Sequence, residues 1–579
     1  MSNASNLSSF IWSVADLLRG SYRQSDYGKV ILPFTVLRRL DCILKPTKDK
    51  VLEEFKKRTA EGVDPTPFLT RIAKQSFYNS SPLDLNKALA QPTQIKANLL
   101  SYINGFSSNV GDIFEKYEFD DQIDKLANAD LLFLVAKKFS EIDLHPNQVS
   151  NADMGLIFEE LIRKFAELSN ETAGEHFTPR EVIRLMVDLL FHGDSEALSK
   201  PGVIRTLYDP TAGTGGMLSI AEEYLTGPNG LNPDATLIVS GQELNPESYA
   251  ICKGDMLIKG QDISNIKFGD TLKNDGHAGV KFDYGLSNPP FGVEWKKAEK
   301  EVKDEYERLG FAGRFGPGLP RISDGSLLFL LHLISKMREP EKGGGRIAIV
   351  LNGSPLFTGG AGSGESEIRK WVIEQDLLET IIGLPTDMFY NTGISTYIWV
   401  LSNHKAKERK GKIQLINASE FFQKMRKSLG SKRKELGETD IERIIKLYGE
   451  FDENENSKIF DAQDFGYTTI TVERPLLDEE GKIVISTKGK TKGNPQADSN
   501  LRDTENVPLK ENIEEYFKRE VLPHAPDAWI DKEKTKVGYE IPFTRHFYVY
   551  KPPRALSEID TELKKTTDKI VEMIRGLSA

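Results

Sequence analysis

Six short apolar runs between residues 206 and 401 do most to limit what this chain can become. The runs at 206–208, 237–239, 282–286, 347–351, 377–382 and 395–401 have strand lengths, and segments of helical period separate them. Strands that alternate with helices build an open, doubly wound sheet between helix layers. The expected fold class is therefore α/β. At 579 residues the chain exceeds one core, which stops growing at roughly 250 to 300 residues, so two or three domains are expected.

The flanks read differently. Residues 1–150 are expected to be helical, with the apolar cluster Val30, Ile31, Leu32, Phe34, Val36, Leu37, Leu40 and Ile43. From Asp153 a buried helix face is predicted by Met154, Ile157, Phe158, Leu161, Ile162, Phe165 and Leu168, spaced three and four apart. In Thr178-Pro179-Arg180-Glu181, Thr178 reads as a cap, Pro179 as the first helical residue and Glu181 as the partner in a capping box. The three regions are thus 1–150, helical; 151–402, α/β; and 403–579, charged. After 402 the pattern predicts charged helix, then a polar loop or insertion near 478–505. From Lys405 to Lys434 eleven Lys or Arg face two acids, Glu408 and Glu420, which suits either phosphate contact or a solvated helix face. Leu556, Ile559, Leu563, Thr566, Ile570, Met573 and Leu577 form a heptad. Either a helix packed on its own domain or a helix that pairs with a partner satisfies it.

Composition excludes several classes. With 39% hydrophobic and 28% charged residues the chain is neither fibrous nor disordered throughout. No window approaches the ~20 apolar residues of a membrane span, and the first ten residues lack the basic and apolar regions of a signal peptide, so a cytoplasmic location is expected. Cys42 and Cys252 are too few for a disulfide framework, and the eight histidines show no metal-binding spacing. The net charge of −10 implies that, if the substrate is nucleic acid, a partner supplies much of the grip.

Three turns carry candidate chemistry. Asp209-Pro210-Thr211-Ala212-Gly213-Thr214-Gly215-Gly216 follows a strand and precedes a helix, where such sheets bind ligands and glycine lets the backbone approach closely. Glu243 ends the next strand, where a carboxylate can accept two ribose hydroxyls. Ser287-Asn288-Pro289-Pro290-Phe291 follows the strand at 282–286. Its two prolines fix the backbone, its carbonyls can accept both hydrogens of an exocyclic amine, and Phe291 offers a face to a base.

Together with Gln242-Glu243-Leu244 and Gly269-Asp270-Thr271-Leu272, these turns resemble the amino-methyltransferases of DNA. The segment Phe177-Thr178-Pro179-Arg180 ahead of them makes the chain similar to the methylation subunits of type I restriction-modification systems. The resemblance covers 151–402 by motif and the flanks by character. It implies a Rossmann-like S-adenosylmethionine-dependent methyltransferase sheet with a helical N-terminal domain and a helical C-terminal extension, and methyl transfer to the 6-amino group of adenine. It implies cofactor contacts at Glu175, His176, Phe177, Thr178, Pro179, Arg180, Thr211, Ala212, Gly213, Glu243 and Asp270. Family members often carry Gln-Tyr where this chain has Glu175-His176. Catalysis is implied at Asn288, Pro289, Pro290 and Phe291, without metal. The implied partners are double-stranded DNA with a flipped adenine, one specificity subunit shared by two copies of this chain, and a restriction subunit.

Other readings remain open at this stage: a cytosine 4-amino DNA methyltransferase, an RNA or protein-glutamine methyltransferase, and a non-catalytic scaffold of a restriction complex. Methylation at carbon 5 of cytosine is excluded, because that chemistry needs a cysteine nucleophile beside proline and neither cysteine has that neighbour.

Overall fold

All six apolar runs form strands of one nine-stranded sheet. The computed structural model describes residues 13–169, 178–227, 230–390, 392–487, 492–550 and 554–577. Its sheet contains β1 (Ile204–Asp209), β2 (Thr236–Glu243), β3 (Ile266–Phe268), β4 (Tyr284–Ser287), β5 (Arg346–Asn352), β6 (Leu378–Gly383), β7 (Thr396–Ser402) and β8 (Lys412–Asn417). After a separate two-stranded hairpin of β9 (Gln423–Leu429) and β10 (Lys432–Glu435), β11 (Ser457–Asp461) completes it. The order is β11-β8-β6-β7-β5-β4-β1-β2-β3, with β7 antiparallel to β5 and β6 and β11 antiparallel to β8. Strand order reverses between β1 and β4, so the loops leaving their carboxyl ends flank the crevice where open α/β sheets bind ligands. Strands β4, β6 and β7 are buried throughout, the signature of a sheet covered on both faces.

The helices supply that cover. In the amino-terminal region α1 (Gly28–Leu44) is buried on nearly every side, with Phe34 against Phe119 and Phe139 at 4.9 and 5.3 Å between ring centroids. Next, α2 (Asn151–Ser169) buries Met154, Ile157, Phe158, Leu161, Ile162 and Phe165 as expected, while the Leu168 side chain lies outside the described residues. Then come α3 (Arg180–His192), α4 (Gly216–Thr226) and α5 (Pro246–Ile258). The Tyr249 hydroxyl and Lys253 ammonium of α5 donate to Asp112 at 2.6 and 2.8 Å, binding the amino-terminal helices to the sheet layer. One hydrophobic core runs through both.

Two local expectations are corrected. Helix α3 begins at Arg180 with Pro179 as its N-cap, and no side-chain capping bond forms. Thr178 Oγ1 instead accepts a hydrogen bond from Asn288 Nδ2, and the Glu181 carboxylate pairs with Lys432. Past residue 402 the charged stretch up to 435 holds strands β8, β9 and β10 and no α-helix, and a charged helix follows it as α7 (Glu438–Glu450), numbered after α6 (Ser326–Lys336). The sheet does not end at 402, since β8 and β11 extend its edge. The stretch near 478–505, read as a polar loop or insertion, carries antiparallel bridges that join Pro475 to Ala497, Leu477 to Ile483 and Ile485 to Pro495. It projects from a three-stranded sheet of β12 (Gly466–Glu473), β13 (Asp503–Pro508) and β14 (Trp529–Tyr539), which has its own small core around Ile470, Val472, Val507 and Phe517.

The chain divides into two units, Met1–Ile541 and Pro542–Ala579. The second contains α8 (Leu556–Leu577), whose heptad positions Leu556, Leu563 and Met573 are 77%, 66% and 71% exposed. Among the described residues no helix is long and apolar enough to cross a membrane.

Candidate active site

The first wall of the site is the turn from β1 into α4. Gly213 and Gly215 adopt φ of +54° and +82°, the left-handed region that glycine enters without strain. A Cβ at Gly215 would lie 2.6 Å from the Cys252 sulfur, so the buried thiol of α5 fills the space beneath the turn. Asp209 accepts the Thr211 N–H at 2.9 Å and its hydroxyl at 3.2 Å, fixing the bend. Burial pushes the Asp209 carboxyl up to about 7, and the nearby Glu243 charge adds to the shift.

Glu243 binds this turn to the end of β2. Its two oxygens accept the Gly213 N–H at 2.8 Å and the Asn245 N–H at 2.7 Å. A carboxylate has about four lone-pair sites, so capacity remains for hydroxyl donors from a ligand. Asp270 stands half-buried nearby, its carboxylate accepting the Leu272 N–H at 3.0 Å. The Thr271 hydroxyl donates to the Pro210 carbonyl at 2.7 Å and clamps this loop to the glycine turn.

The second wall is the turn after β4. The Thr211 and Ser287 hydroxyls lie 2.7 Å apart in a hydrogen bond, joining the loops on either side of the switch point. Asn288 Nδ2 donates to Thr178 Oγ1 at 2.9 Å, while its Oδ1 is buried and has no partner among the described residues. Pro289 is buried, and the half-buried Phe291 meets Phe389 edge-on with ring centroids 5.8 Å apart.

Between these walls lies a cavity of about 560 Å³. Of the residues singled out from sequence, Thr178, Arg180, Thr211, Ala212, Gly213, Glu243, Asp270, Asn288 and Pro290 line it. Pro179, Pro289 and Phe291 stand behind or beside the lining, and Glu175, His176 and Phe177 lie outside the described residues. Arg180 reaches the cavity already paired with Glu159 at 2.7 Å and Glu223 at 3.3 Å.

Sequence reasoning missed Glu159 of α2, Phe329 of α6 and the Asp255–Lys259 pair, all of which also line the cavity. Asp255 and Lys259, four residues apart and 2.7 Å from each other, had a readable helical spacing. Arg314 was missed as well: it donates to the Thr271 and Leu272 carbonyls at 2.7 and 3.0 Å and holds the Asp270 loop from behind.

The donor set fits S-adenosylmethionine. Left-handed glycines leave room for close backbone approach, a strand-end carboxylate faces the cavity, and an amide oxygen without a partner among the described residues stands at the opposite wall.

Comparison with known proteins agrees with this chemistry. A family model described as N-6 DNA Methylase matches residues 149–467, and one described as HsdM N-terminal domain matches residues 7–139. The chain is 28% identical over 465 residues to the type I restriction enzyme MjaIX methylase subunit of Methanocaldococcus jannaschii, covering 77% of each chain. It is 30% identical over 270 residues to the HindI methylase subunit of Haemophilus influenzae, covering 46% of this chain and 54% of that one. Its fold is similar to the type I restriction-modification methyltransferase subunit from Streptococcus thermophilus, with a TM-score of 0.62 and 25% identity over 80% of this chain and 97% of that one. The first of these matches takes in the whole nine-stranded sheet and every wall of the cavity, so the chain belongs to the N-6 DNA methylase family and is an S-adenosylmethionine-dependent, adenine-specific DNA methyltransferase.

Proposed function

We propose that Asn288 and the Pro289 carbonyl accept the two hydrogens of the target adenine's 6-amino group while Phe291 presents its ring to the base. The observation that carries this reading is the divided state of Asn288, with its amide nitrogen anchored on Thr178 and its buried oxygen unpaired among the described residues. An unpaired buried acceptor costs about 1 to 3 kcal/mol, and an amine hydrogen of the substrate would satisfy it.

An aromatic amine is a poor nucleophile because its lone pair is delocalised into the ring. Two acceptors on its hydrogens favour a more tetrahedral nitrogen and free that lone pair for attack. S-adenosylmethionine, when bound, supplies a methyl group made electrophilic by its sulfonium. Glu243 accepts the ribose hydroxyls, Asp270 accepts from the cofactor's adenine amine, and Thr178 to Arg180 with Thr211 to Gly213 surround the methionine end. The chain thus contributes orientation and electrostatics, without a covalent enzyme intermediate or a metal. A stacked adenine cannot reach the cavity, so the base is flipped out at a cost of a few kcal/mol.

The relatives are methylase subunits of type I restriction enzymes, which supports a multisubunit setting, and we propose that this setting is cytoplasmic. In it two copies of this chain share one specificity subunit on double-stranded DNA and can recruit a restriction subunit. The exposed apolar seam of α8 suits a helical partner. Mass spectrometry of nucleosides from DNA exposed to the enzyme tests the chemistry. N6-methyladenine is expected, and 4-methylcytosine would transfer the site to the cytosine reading. Native mass analysis with a specificity subunit tests the two-to-one assembly.

A further inference from the structure

The hairpin of β9 and β10 is strongly basic and largely exposed. Residues 423–435 contain Lys424, Arg426, Lys427, Lys432, Arg433 and Lys434 against a single acid, Glu435, in a chain whose net charge is −10. Two of these cations are committed to the fold: Lys432 pairs with Glu181, and Lys434 donates to Thr386 Oγ1 at 3.2 Å. Lys424, Arg426, Lys427 and Arg433 are exposed, and none has an ion-pair partner among the described residues.

Register adds a second observation. Lys424 lies directly across from Lys434, and like charges opposite each other destabilise a two-stranded ribbon. An anion laid along the hairpin would remove that repulsion.

Its position is fixed relative to the catalytic turn. The Ser431 N–H donates to the Tyr390 carbonyl at 2.8 Å, and the Arg433 N–H donates to the Asp387 carbonyl at 2.9 Å. Gly430, at φ +59°, sits so close that a Cβ would lie 2.5 Å from the Tyr390 oxygen. The loop that receives these bonds carries Phe389, the ring that packs on Phe291. The hairpin is therefore fastened to the element beside the target-base turn.

We infer that this hairpin grips the phosphate backbone of the DNA substrate next to the flipped base, through Lys424, Arg426 and Lys427. The inference rests on the assignment of the site to DNA adenine. Each phosphate neutralised releases counterions and steepens the salt dependence of binding by about 0.9 in log–log slope. Phosphate contacts position the duplex without reading its sequence.

The test replaces Lys424, Arg426 and Lys427 together by Gln in the full-length chain, within the assembly that methylates DNA. Duplex affinity is followed by fluorescence anisotropy across salt. The slope should fall by roughly 2.7, so that raising salt from about 50 to about 200 mM weakens the unaltered enzyme about fortyfold more than the variant. S-adenosylmethionine affinity by calorimetry and the preference among DNA sites should not change. A second variant with Lys424→Arg and Lys427→Arg should keep the original slope. An unchanged slope in the Gln variant overturns the inference, as does a parallel loss of cofactor affinity, which would mean the hairpin acts through the fold. Loss of partner-subunit binding with unchanged DNA affinity would also overturn it, in favour of a protein contact. Failure of the underlying assignment would show separately, as absence of N6-methyladenine with the unaltered enzyme.

Discussion

Replacing Asn288 by Ala separates a functional role from a structural one, because the two predict opposite balances of stability and activity. In the fold the Asn288 amide makes one hydrogen bond, to Thr178 Oγ1 at 2.9 Å, and buries one oxygen without a partner among the described residues. Loss of the bond costs about 1 kcal/mol net, whereas removal of an unsatisfied buried acceptor relieves about 1 to 3 kcal/mol. These terms nearly cancel, so the unfolding midpoint should move little. Catalysis should suffer far more, since deleting one preorganised hydrogen-bonding group at a reacting centre lowers kcat roughly 10²- to 10³-fold. Tritium transfer from labelled S-adenosylmethionine measures that loss, calorimetry measures cofactor affinity, and thermal unfolding measures stability. Cofactor affinity should be nearly intact, because Asn288 faces the target amine. Asn288→Asp retains an acceptor and lets the Thr178 hydroxyl turn to donate, so it should recover part of the rate. A parallel fall in cofactor binding and transfer, or a large fall in stability, would refute the role.

Glu243→Ala should weaken S-adenosylmethionine binding roughly ten- to hundredfold, the worth of about 1.5 to 3 kcal/mol for a charge-assisted group, without changing which base is methylated. An unchanged dissociation constant would leave Glu243 as a brace for the Gly213 and Asn245 N–H groups. Asp209 has its folded carboxyl pushed up to about 7, so between about pH 4 and 7 the folded chain holds a proton the unfolded chain has lost. Its contribution therefore favours folding at low pH and declines as pH rises, by about 1.4 kcal/mol per unit at most, and Asp209→Asn should flatten that part of a denaturant-monitored pH profile. Deleting residues 556–579 should weaken assembly with a specificity subunit, read by native mass analysis, and leave cofactor affinity within error.

The legible parts of the fold were those whose side chains are sorted by local burial. Strands β5, β6 and β7 lie between helix layers, so continuous apolar runs announced them. Strand β3 has three residues, and only Ile266 is buried, which leaves almost no pattern. In β9 every second position is charged or polar on an exposed ribbon, so Lys424 to Ser428 looked like a solvated helix. The basic run from Lys405 also hid its own division. Lys405 and Arg409 are buried against Asp376 and Glu379, at 2.6 and 3.3 Å, while Lys424, Arg426, Lys427 and Arg433 of the hairpin stand in solvent. Charge patterning reports how many cations a segment carries; their partners come from β6 and the loop before it, far away in sequence.

The failed capping box shows how the candidate site limits local reading. Thr178 and Glu181 have the spacing to cap α3, and a lost cap costs about 0.5 to 2 kcal/mol. Each side chain turns away from the helix end towards a partner more than a hundred residues distant, Thr178 to Asn288 and Glu181 to Lys432. One partner belongs to the turn proposed to hold the target amine, the other to the hairpin proposed to hold the phosphate backbone. The start of α3, which brings Arg180 into the cavity, is thereby positioned by both proposed DNA-facing elements. A local rule broken at a helix end beside a ligand cavity is where foldability and function compete. The cap forgone by α3 is consistent with the cofactor side and the DNA side of this enzyme being registered to each other through that helix.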